Sequence, residues 1–216
     1  MKISPTLELE SLLISGGIEY IAGVDEAGRG PVAGPVTAAA VILPVRELME
    51  RLDRANSTSD GESPMTLVRD SKELSERQRE LALSAITEIA VDSSVAHVPN
   101  ETIDAINILN ATRLAVTRAI EALSRKPSVI LIDGKFLNLK DRTCISIVKG
   151  DSTIFSIAAA SIIAKTARDA LMRKYADEYP LYSFEKNKGY LTERHLDAIR
   201  SYGLSNIHRK SFTIPV

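Results

Sequence analysis

YIAGVDEAGRGPVAGP, residues 20–35, starts as an apolar β-strand and ends in a turn rich in glycine and proline. Asp25 and Glu26 lie side by side near the end of the apolar part. In a strand, neighbouring side chains point to opposite faces, unless a bend or a metal ion draws them together. Because burying an unpaired carboxylate is expensive, a buried pair would need a cation nearby. A solvated strand end explains the same two residues equally well.

The turn that follows, Gly28-Arg29-Gly30, has the composition of a ligand-binding loop. Glycine lets the backbone approach a ligand closely and exposes N–H groups. Arg29 adds a planar cation whose shape and charge match phosphate. An ordinary turn at the end of a strand is the alternative interpretation.

Two more aspartates follow apolar runs. Residues 129–133, VILID, are typical of a buried parallel strand that ends at Asp133, and residues 145–151, ISIVKGD, end at Asp151. Ligand sites in α/β sheets gather at such strand ends. Each aspartate alone could be a turn residue or a helix cap. Four acids at the ends of three predicted strands favour a site for a hard cation such as Mg²⁺ or Mn²⁺.

The overall composition is that of an ordinary globular protein. The chain has 216 residues, 44% of them hydrophobic, and a net charge of −1, which argues against a broadly basic nucleic-acid binder. Its single cysteine, Cys144, is expected to be a reduced core residue. No apolar run reaches membrane-spanning length, and no secretion signal is recognisable. We expect one domain, residues 1–216, that acts as a cytoplasmic monomer without a membrane partner.

Positive charge is concentrated near the C-terminus. Residues 186–210 hold six lysines and arginines against two acidic residues, interleaved with Tyr190, Tyr202 and two histidines. This run predicts a surface that clamps the backbone of a nucleic-acid duplex, with Lys188 and Arg209 among its cations. A solvated helix face is the alternative interpretation.

Local patterns predict an α/β protein. Apolar and β-branched runs predict strands near residues 18–26, 35–43, 90–98, 128–133 and 143–148. Capping signals at Ser75, Asn100 and Thr192 predict helices that reach about residues 88, 123 and 203, and another helix follows Asp151 to about residue 177. This order indicates a mixed sheet with helices on both sides. Residues 53–66 are rich in Ser, Asp and Asn and predict a mobile loop.

Several motifs occur together in a fixed order along the chain. They are Asp25–Gly30, Asp70–Ser75, Ile132–Gly134, Lys149–Asp151, Ile157–Lys165, Lys188–Tyr190 and His208–Phe212. On these motifs the chain resembles ribonuclease HII from about Tyr20 to Phe212. Ribonuclease HIII typically has Gly-Thr-Gly in place of Gly28-Arg29-Gly30, so the resemblance favours ribonuclease HII. The 18-residue interval from Asp133 to Asp151 resembles that of bacterial members.

The resemblance implies a ribonuclease-H-like α/β fold: a mixed five-stranded sheet flanked by helices, with a small helical C-terminal extension from about residue 180 to residue 216. It also implies a two-metal mechanism with Mg²⁺ or Mn²⁺, because two divalent ions can activate water, stabilise the leaving oxygen and neutralise phosphate charge. Four carboxylates are then both the catalytic residues and the metal ligands. They are Asp25, Glu26, Asp133 and Asp151.

The resemblance also assigns substrate contacts. The backbone of Gly28-Arg29-Gly30 would recognise the 2′-hydroxyl of a ribonucleotide, a group that can both donate and accept a hydrogen bond. Tyr190 would pack on the neighbouring deoxyribose, although a partly exposed core tyrosine is the alternative interpretation. The candidate phosphate contacts are Ser71, Lys72, Ser161 and Lys165.

The implied activity is that of an endoribonuclease that cuts the RNA strand of RNA–DNA hybrids. It would also act at single ribonucleotides embedded in duplex DNA, and would leave 5′-phosphate and 3′-hydroxyl ends. The alternatives are a catalytically silent nucleic-acid-binding module and a ribonuclease HIII-like or DNA-directed nuclease on the same fold. The four retained acids weigh against the silent module, and the turn with Tyr190 weighs against a DNA nuclease. Asn187 departs from the family, whose members commonly have histidine there.

Overall fold

The described residues form one five-stranded sheet in the computed structural model, which describes residues 4–50, 67–134 and 142–215. The strands are β1 (Ile21–Ala27), β2 (Val36–Ile42), β3 (Asp92–Val98), β4 (Val129–Asp133) and β5 (Cys144–Ile147). Their order across the sheet is β3-β2-β1-β4-β5. β2 is antiparallel to β1 and β3, whereas β4 is parallel to β1 and β5. The predicted mixed sheet is therefore confirmed; the predicted loop at 53–66 lies outside the described residues.

Six helices lie wholly within the described ranges. They are α1 (Glu8–Ser15), α2 (Glu76–Ile89), α3 (Asn100–Ala122), α4 (Phe155–Glu178), α5 (Phe184–Asn187) and α6 (Glu193–Tyr202). Residues 45–50 are also helical, and short 3₁₀ turns occupy Ser71–Glu73, Gly150–Ser152 and Pro180–Tyr182. The predictions for α2, α3, α4 and α6 are confirmed, whereas α1 and α5 were not predicted. None of these helices has the length and hydropathy needed to cross a bilayer.

Two of the predicted helix starts are confirmed by their caps. At α2, the Gln78 N–H donates to Ser75 Oγ at 3.3 Å, and the Ser75 N–H donates to Gln78 Oε1 at 3.0 Å. This reciprocal capping box satisfies two backbone donors that a helix start leaves without partners. At α6, Thr192 Oγ1 accepts from the His195 N–H at 3.3 Å.

Asn100 does not cap α3 as predicted. It is the first helical residue, and its side-chain amide donates to the carbonyls of Asn206 at 2.9 Å and His208 at 3.2 Å. The amide is therefore used to hold a distant segment of the chain. A break inside α3 was also missed: Asn107 has φ 66° and ψ 164°, and its Oδ1 accepts from the Asn110 N–H at 3.1 Å, as a helix cap does.

Small side chains form the two faces of the sheet around β2. Ala39 and Val41 pack on one face against α2 and α4, and Ala38 and Ala40 pack on the other face against α3. The prediction of helices on both sides is thus confirmed. The single cysteine, Cys144, is only half-buried and packs against the α3-side cluster, so it is less central than predicted.

The start of α4 lies directly on β1, and this contact positions the site described below. A side chain at Gly23 would collide with the backbone of Ser156, so only glycine allows the approach. Ala158, Ala159 and Ala160 are fully buried in the same contact. The Ser156 N–H donates at 2.9 Å to Oε1 of Glu10, a buried carboxylate from α1 that supports the α4 N-terminus.

The predicted C-terminal extension is helical and has its own apolar cluster. Tyr182, Phe184, Ile199 and Ile207 are buried there and pack against Met172 of α4. The rings of Tyr182 and Phe184 stack with centroids 5.5 Å apart. The extension is therefore fixed to the same long helix that packs on β1.

Candidate active site

Eleven predicted site residues line one cavity of about 220 Å³. It opens beyond Val24 and Ile132, the last pair that joins β1 to β4. Asp151 lies beside it, with its Oδ2 atom 3.2 Å from Nζ of Lys72. The structure thus brings together every residue predicted for the site. The eleven that line the cavity are Asp25, Glu26, Gly28, Arg29, Gly30, Ser71, Lys72, Asp133, Ser161, Lys165 and Tyr190.

Asp25 and Glu26 reach the same cavity although they are neighbours in β1. The Glu26 N–H donates to Asp25 Oδ1 at 2.7 Å, which draws the aspartate toward its neighbour. Burial, and then the nearby charge of Glu26, raises the pKa of Asp25 well above its ordinary value. Burial also raises the pKa of Glu26, although the guanidinium of Arg29 opposes the shift. Two neighbouring strand residues therefore share one cavity at the end of the sheet.

Asp133 comes from β4, the strand next to β1, and Asp151 comes from the turn after β5. Asp133 is the last residue of β4, and its Oδ1 accepts from the Gly150 N–H at 2.6 Å. This bond joins the end of the strand to the 3₁₀ turn Gly150–Ser152, which carries Asp151 ahead of α4. Burial raises the pKa of Asp133. This hydrogen bond from a backbone N–H to a side chain thus links Asp133 to the turn that carries Asp151.

The predicted cations of the site are paired with its acids or with a neighbouring one. Arg29 Nη1 lies 3.2 Å from Glu26 Oε1. The Lys72 ammonium pairs with Asp151, and although burial acts to lower its pKa, the charges of Asp151 and Asp70 outweigh burial and raise it. On α4, Lys165 Nζ lies 2.7 Å from Asp169 Oδ1, and Ser161 Oγ lies 2.9 Å from Ser71 Oγ. The predicted phosphate contacts therefore stand at the cavity wall.

The donor set of this cavity suits a hard divalent cation. Its acids supply oxygen atoms, and no described lysine or arginine forms an ion pair with Asp25 or Asp133. Within residues 4–50, 67–134 and 142–215, no three His, Cys, Asp or Glu side chains are arranged to hold a metal ion by themselves. A cation here would take further ligands from water and substrate, as Mg²⁺ commonly does beside one or two carboxylates.

Tyr190 and the Gly28–Gly30 turn face each other across the mouth of the cavity. The Tyr190 side chain is large, apolar and 48% exposed. A Cβ placed on Gly30 would lie 3.7 Å from a ring carbon of Tyr190, so the ring and the turn are in near contact. Gly28 has φ 92°, and a side chain there would collide with the guanidinium of Arg168. The structure thus places an exposed ring beside the turn, and the sugar-recognition roles that the resemblance implies for them stay predictions.

A family model described as ribonuclease HII matches residues 22–214. The chain belongs to the ribonuclease HII family. Ribonuclease HII from Pelodictyon phaeoclathratiforme is 49% identical over 197 residues, which cover 90% of this chain and 89% of that protein. It follows that the chain is a ribonuclease H, a hydrolase that acts as an endoribonuclease on RNA–DNA hybrids.

Solved structures support the same fold. Ribonuclease H2 from Pyrococcus horikoshii OT3 has a TM-score of 0.72 and 28% identity, covering 91% of this chain and 95% of that chain. Bst-RNase HIII in complex with Mn²⁺ has a TM-score of 0.63 and 19% identity, covering 90% of this chain and 67% of that chain. The predicted ribonuclease-H-like architecture is therefore confirmed.

The basic run of this ribonuclease HII differs from the prediction at Arg209. Arg209 was expected to face the duplex, but it is fully buried and donates to the carbonyls of Gly28, Arg29 and Gly34. The prediction that Arg209 contacts a phosphate is wrong, because its five N–H donors are turned into the protein. Lys188 is half-buried, and its ammonium donates to the Glu185 carbonyl at 2.6 Å.

Arg168 is a site residue that sequence reasoning missed. It lines the cavity from α4 and donates to the carbonyls of Pro35 at 3.0 Å and Lys188 at 2.9 Å. Its signal was present: Ser161, Lys165 and Arg168 follow the i, i+4, i+7 spacing of one helix face. Asn187 has a structural role, because its Oδ1 accepts from the Gly189 N–H at 2.8 Å beside Tyr190.

Proposed function

We propose that the chain cuts the RNA strand where RNA meets DNA, including at single ribonucleotides embedded in duplex DNA, and leaves 5′-phosphate and 3′-hydroxyl ends. The observation that carries this proposal is the cavity itself. It places four acids next to a bare turn and an exposed tyrosine ring, so that cleavage chemistry and sugar recognition share one site. A nuclease that cuts DNA would not need a site that recognises a 2′-hydroxyl.

We propose that Asp25, Glu26, Asp133 and Asp151 hold Mg²⁺ or Mn²⁺. Their oxygens are the ligand type that these ions prefer. When bound, such ions make water a better nucleophile and stabilise negative charge on the attacked phosphate and the leaving oxygen. The raised pKa values of Asp25, Glu26 and Asp133 support the proposal, because they reflect buried carboxylates that a cation would stabilise in the charged form.

The cationic and hydroxyl side chains of the cavity are proposed to bind the scissile and flanking phosphates. Lys72 has a 74% exposed side chain and can exchange its contact with Asp151 for a phosphate oxygen. Lys165 and Ser161 stand one helical turn apart on α4 and can contact the same strand. Arg29 can likewise release Glu26 and turn to phosphate. Each exchange would replace an internal ion pair with a charge-assisted bond to substrate.

The turn and Tyr190 are proposed to read the two sugars that flank the cut. Backbone groups of Gly28–Gly30 would recognise the 2′-hydroxyl of the ribonucleotide, and the ring of Tyr190 would pack on the next sugar where that hydroxyl is missing. One chain supplies all eleven proposed residues, which supports the further proposal that the enzyme acts as a monomer.

The function is tested with three labelled duplexes of one sequence: one with a single ribonucleotide, one with a long RNA–DNA hybrid segment and one of DNA alone. We expect cleavage of the first two with Mg²⁺ or Mn²⁺, none with EDTA, and 5′-phosphate and 3′-hydroxyl product ends. Equal cleavage of the all-DNA duplex would instead indicate a DNA nuclease. Tight binding without cleavage under any metal would indicate a silent binding module.

A further inference from the structure

Two fully buried arginines lie behind the proposed sugar-reading turn. Arg168 and Arg209 are 1% and 0% exposed, and no described carboxylate forms an ion pair with either of them. Their guanidinium donors go to backbone carbonyls instead. Burial lowers the pKa of Arg209 to about 9, so the side chain still carries its charge at neutral pH. The hydrogen bonds of Arg209 indicate why such a cation is buried here.

Arg209 holds the carbonyls of the turn on the inner side. Its Nη2 donates to the Gly28 carbonyl at 2.6 Å and its Nη1 donates to the Arg29 carbonyl at 2.9 Å. In a planar trans peptide, the C=O and the following N–H point in opposite directions. The N–H groups of Arg29 and Gly30 therefore point away from Arg209. They are the donors that the turn can offer to a 2′-oxygen.

A chain of hydrogen bonds runs from the same segment to Tyr190. His208 Nδ1 accepts from the Ser205 N–H at 2.9 Å, so the proton of a neutral His208 must be on Nε2. That Nε2 lies 3.0 Å from His195 Nε2, which must then accept. The proton of His195 is accordingly on Nδ1, which donates to the Tyr190 carbonyl at 2.8 Å. These bonds assign both tautomers and end at the residue proposed to pack on the second sugar.

Backbone hydrogen bonds connect the segment that holds the Gly28–Gly30 turn with the segment that precedes Tyr190. The Arg209 N–H donates to the Val32 carbonyl at 2.8 Å, and the Val32 N–H donates to the Gly189 carbonyl at 2.9 Å. The Arg209 guanidinium carbon also lies 5.0 Å above the centre of the Phe212 ring, which fixes its plane. The turn and Tyr190 are thus both held from one short stretch, His208–Arg209.

We propose that Arg209 and the His208–His195 pair are positioning residues for sugar selection. Arg209 aims the N–H groups of the Gly28–Gly30 turn, and the histidine pair sets the position of Tyr190 relative to that turn. This inference rests on the proposed sugar-reading roles of the turn and of Tyr190. It adds the internal contacts that hold the turn and the Tyr190 ring at a fixed distance from each other.

The role of Arg209 is tested with Arg209→Lys, which keeps the charge but lacks the planar fork. The matched control is Arg200→Lys, a change at an exposed arginine of α6 that pairs only with Asp197 among described acids. Dissociation constants are measured in EDTA for the single-ribonucleotide duplex and for the all-DNA duplex. We expect Arg209→Lys to lose about tenfold of the preference for the ribonucleotide, and Arg200→Lys to keep it.

A second pair of variants tests the histidines and covers the case in which Arg209→Lys fails to fold. His195→Leu removes the donor to the Tyr190 carbonyl, whereas His195→Asn can place an amide N–H at the position of Nδ1. The ratio of kcat/KM on the single-ribonucleotide duplex to kcat/KM on the long hybrid is measured for each. We expect the ratio to fall about fivefold or more in His195→Leu and to recover in His195→Asn.

The outcomes separate positioning from a purely structural role. Loss of stability alone lowers the active fraction equally for all substrates and leaves both ratios unchanged, so unchanged ratios in folded variants would overturn the proposal. A wild-type enzyme that binds both duplexes equally and cuts both substrates equally would overturn the sugar-reading roles themselves, and the positioning proposal with them. Altered ratios in the variants but not in Arg200→Lys support it.

Discussion

Asp151→Asn is expected to retain the fold and duplex binding while losing at least about 100-fold in cleavage rate with Mg²⁺. The change replaces one carboxylate oxygen by an amide nitrogen and removes the charge. Asp151 is buried, and its carboxylate lies beside the Lys72 ammonium. It directly follows Gly150, whose N–H donates to Asp133. Misplacing a charge-stabilising cation by the loss of one ligand affects the transition state far more than it affects substrate binding.

The rate is measured under single-turnover conditions on the single-ribonucleotide duplex. Thermal unfolding and the dissociation constant in EDTA are measured on the same preparation. Asp197→Asn is the matched control, because Asp197 is an exposed aspartate of α6 that pairs with Arg200 at 3.4 Å. Near-normal turnover of a folded Asp151→Asn protein would contradict the assignment of Asp151 to the metal site.

Tyr190→Ala is expected to impair cleavage of a single embedded ribonucleotide more than cleavage of a long RNA–DNA hybrid. In the long hybrid the next sugar already carries a 2′-hydroxyl, so less of the ring's contact is realised there. By analogy with base–aromatic stacking, the lost contact is worth roughly 1–3 kcal/mol, or about fivefold to 160-fold in rate on the junction. The exposed ring beside Gly30 is placed to make that contact.

The measurement is the ratio of kcat/KM on the two substrates, compared between wild type and variant. Tyr202→Ala is the control, since Tyr202 is a 58% exposed tyrosine at the end of α6 and does not line the cavity. If Tyr190→Ala lowers both rates by one factor, the ring supports the pocket and does not read the sugar.

Strands and caps could be predicted from the sequence because their signals are local. The run that forms β4 and the box at Ser75 and Gln78 are readable within a few residues. The four acids were found in the same way, since each follows an apolar run. Their meeting at one cavity followed from the resemblance and from the rule that strand ends share an edge.

Two of the errors concern residues whose partners are distant in the chain. Asn100 was expected to cap its own helix, but it holds carbonyls 106 and 108 residues away. Arg209 was expected on the surface, but its Nη2 bonds a carbonyl 181 residues away. A charged side chain in a basic run is normally solvated. Only the packed structure brings together the carbonyls that accept from Arg209 and make its burial favourable. Asp25 and Glu26 lie beyond Val24, the last residue of β1 that pairs with β4, and both line the cavity there.

The most direct test of the four-acid site is a titration of Mn²⁺ followed by electron paramagnetic resonance. It is carried out on the wild type, on the amide variants of Asp25, Glu26, Asp133 and Asp151, and on Asp197→Asn, with the nicked product duplex present. We expect about two Mn²⁺ ions per chain in the wild type and in Asp197→Asn, and an affinity at least about tenfold weaker in each of the four variants. Wild-type affinity and stoichiometry in folded variants of these four acids would contradict the assignment.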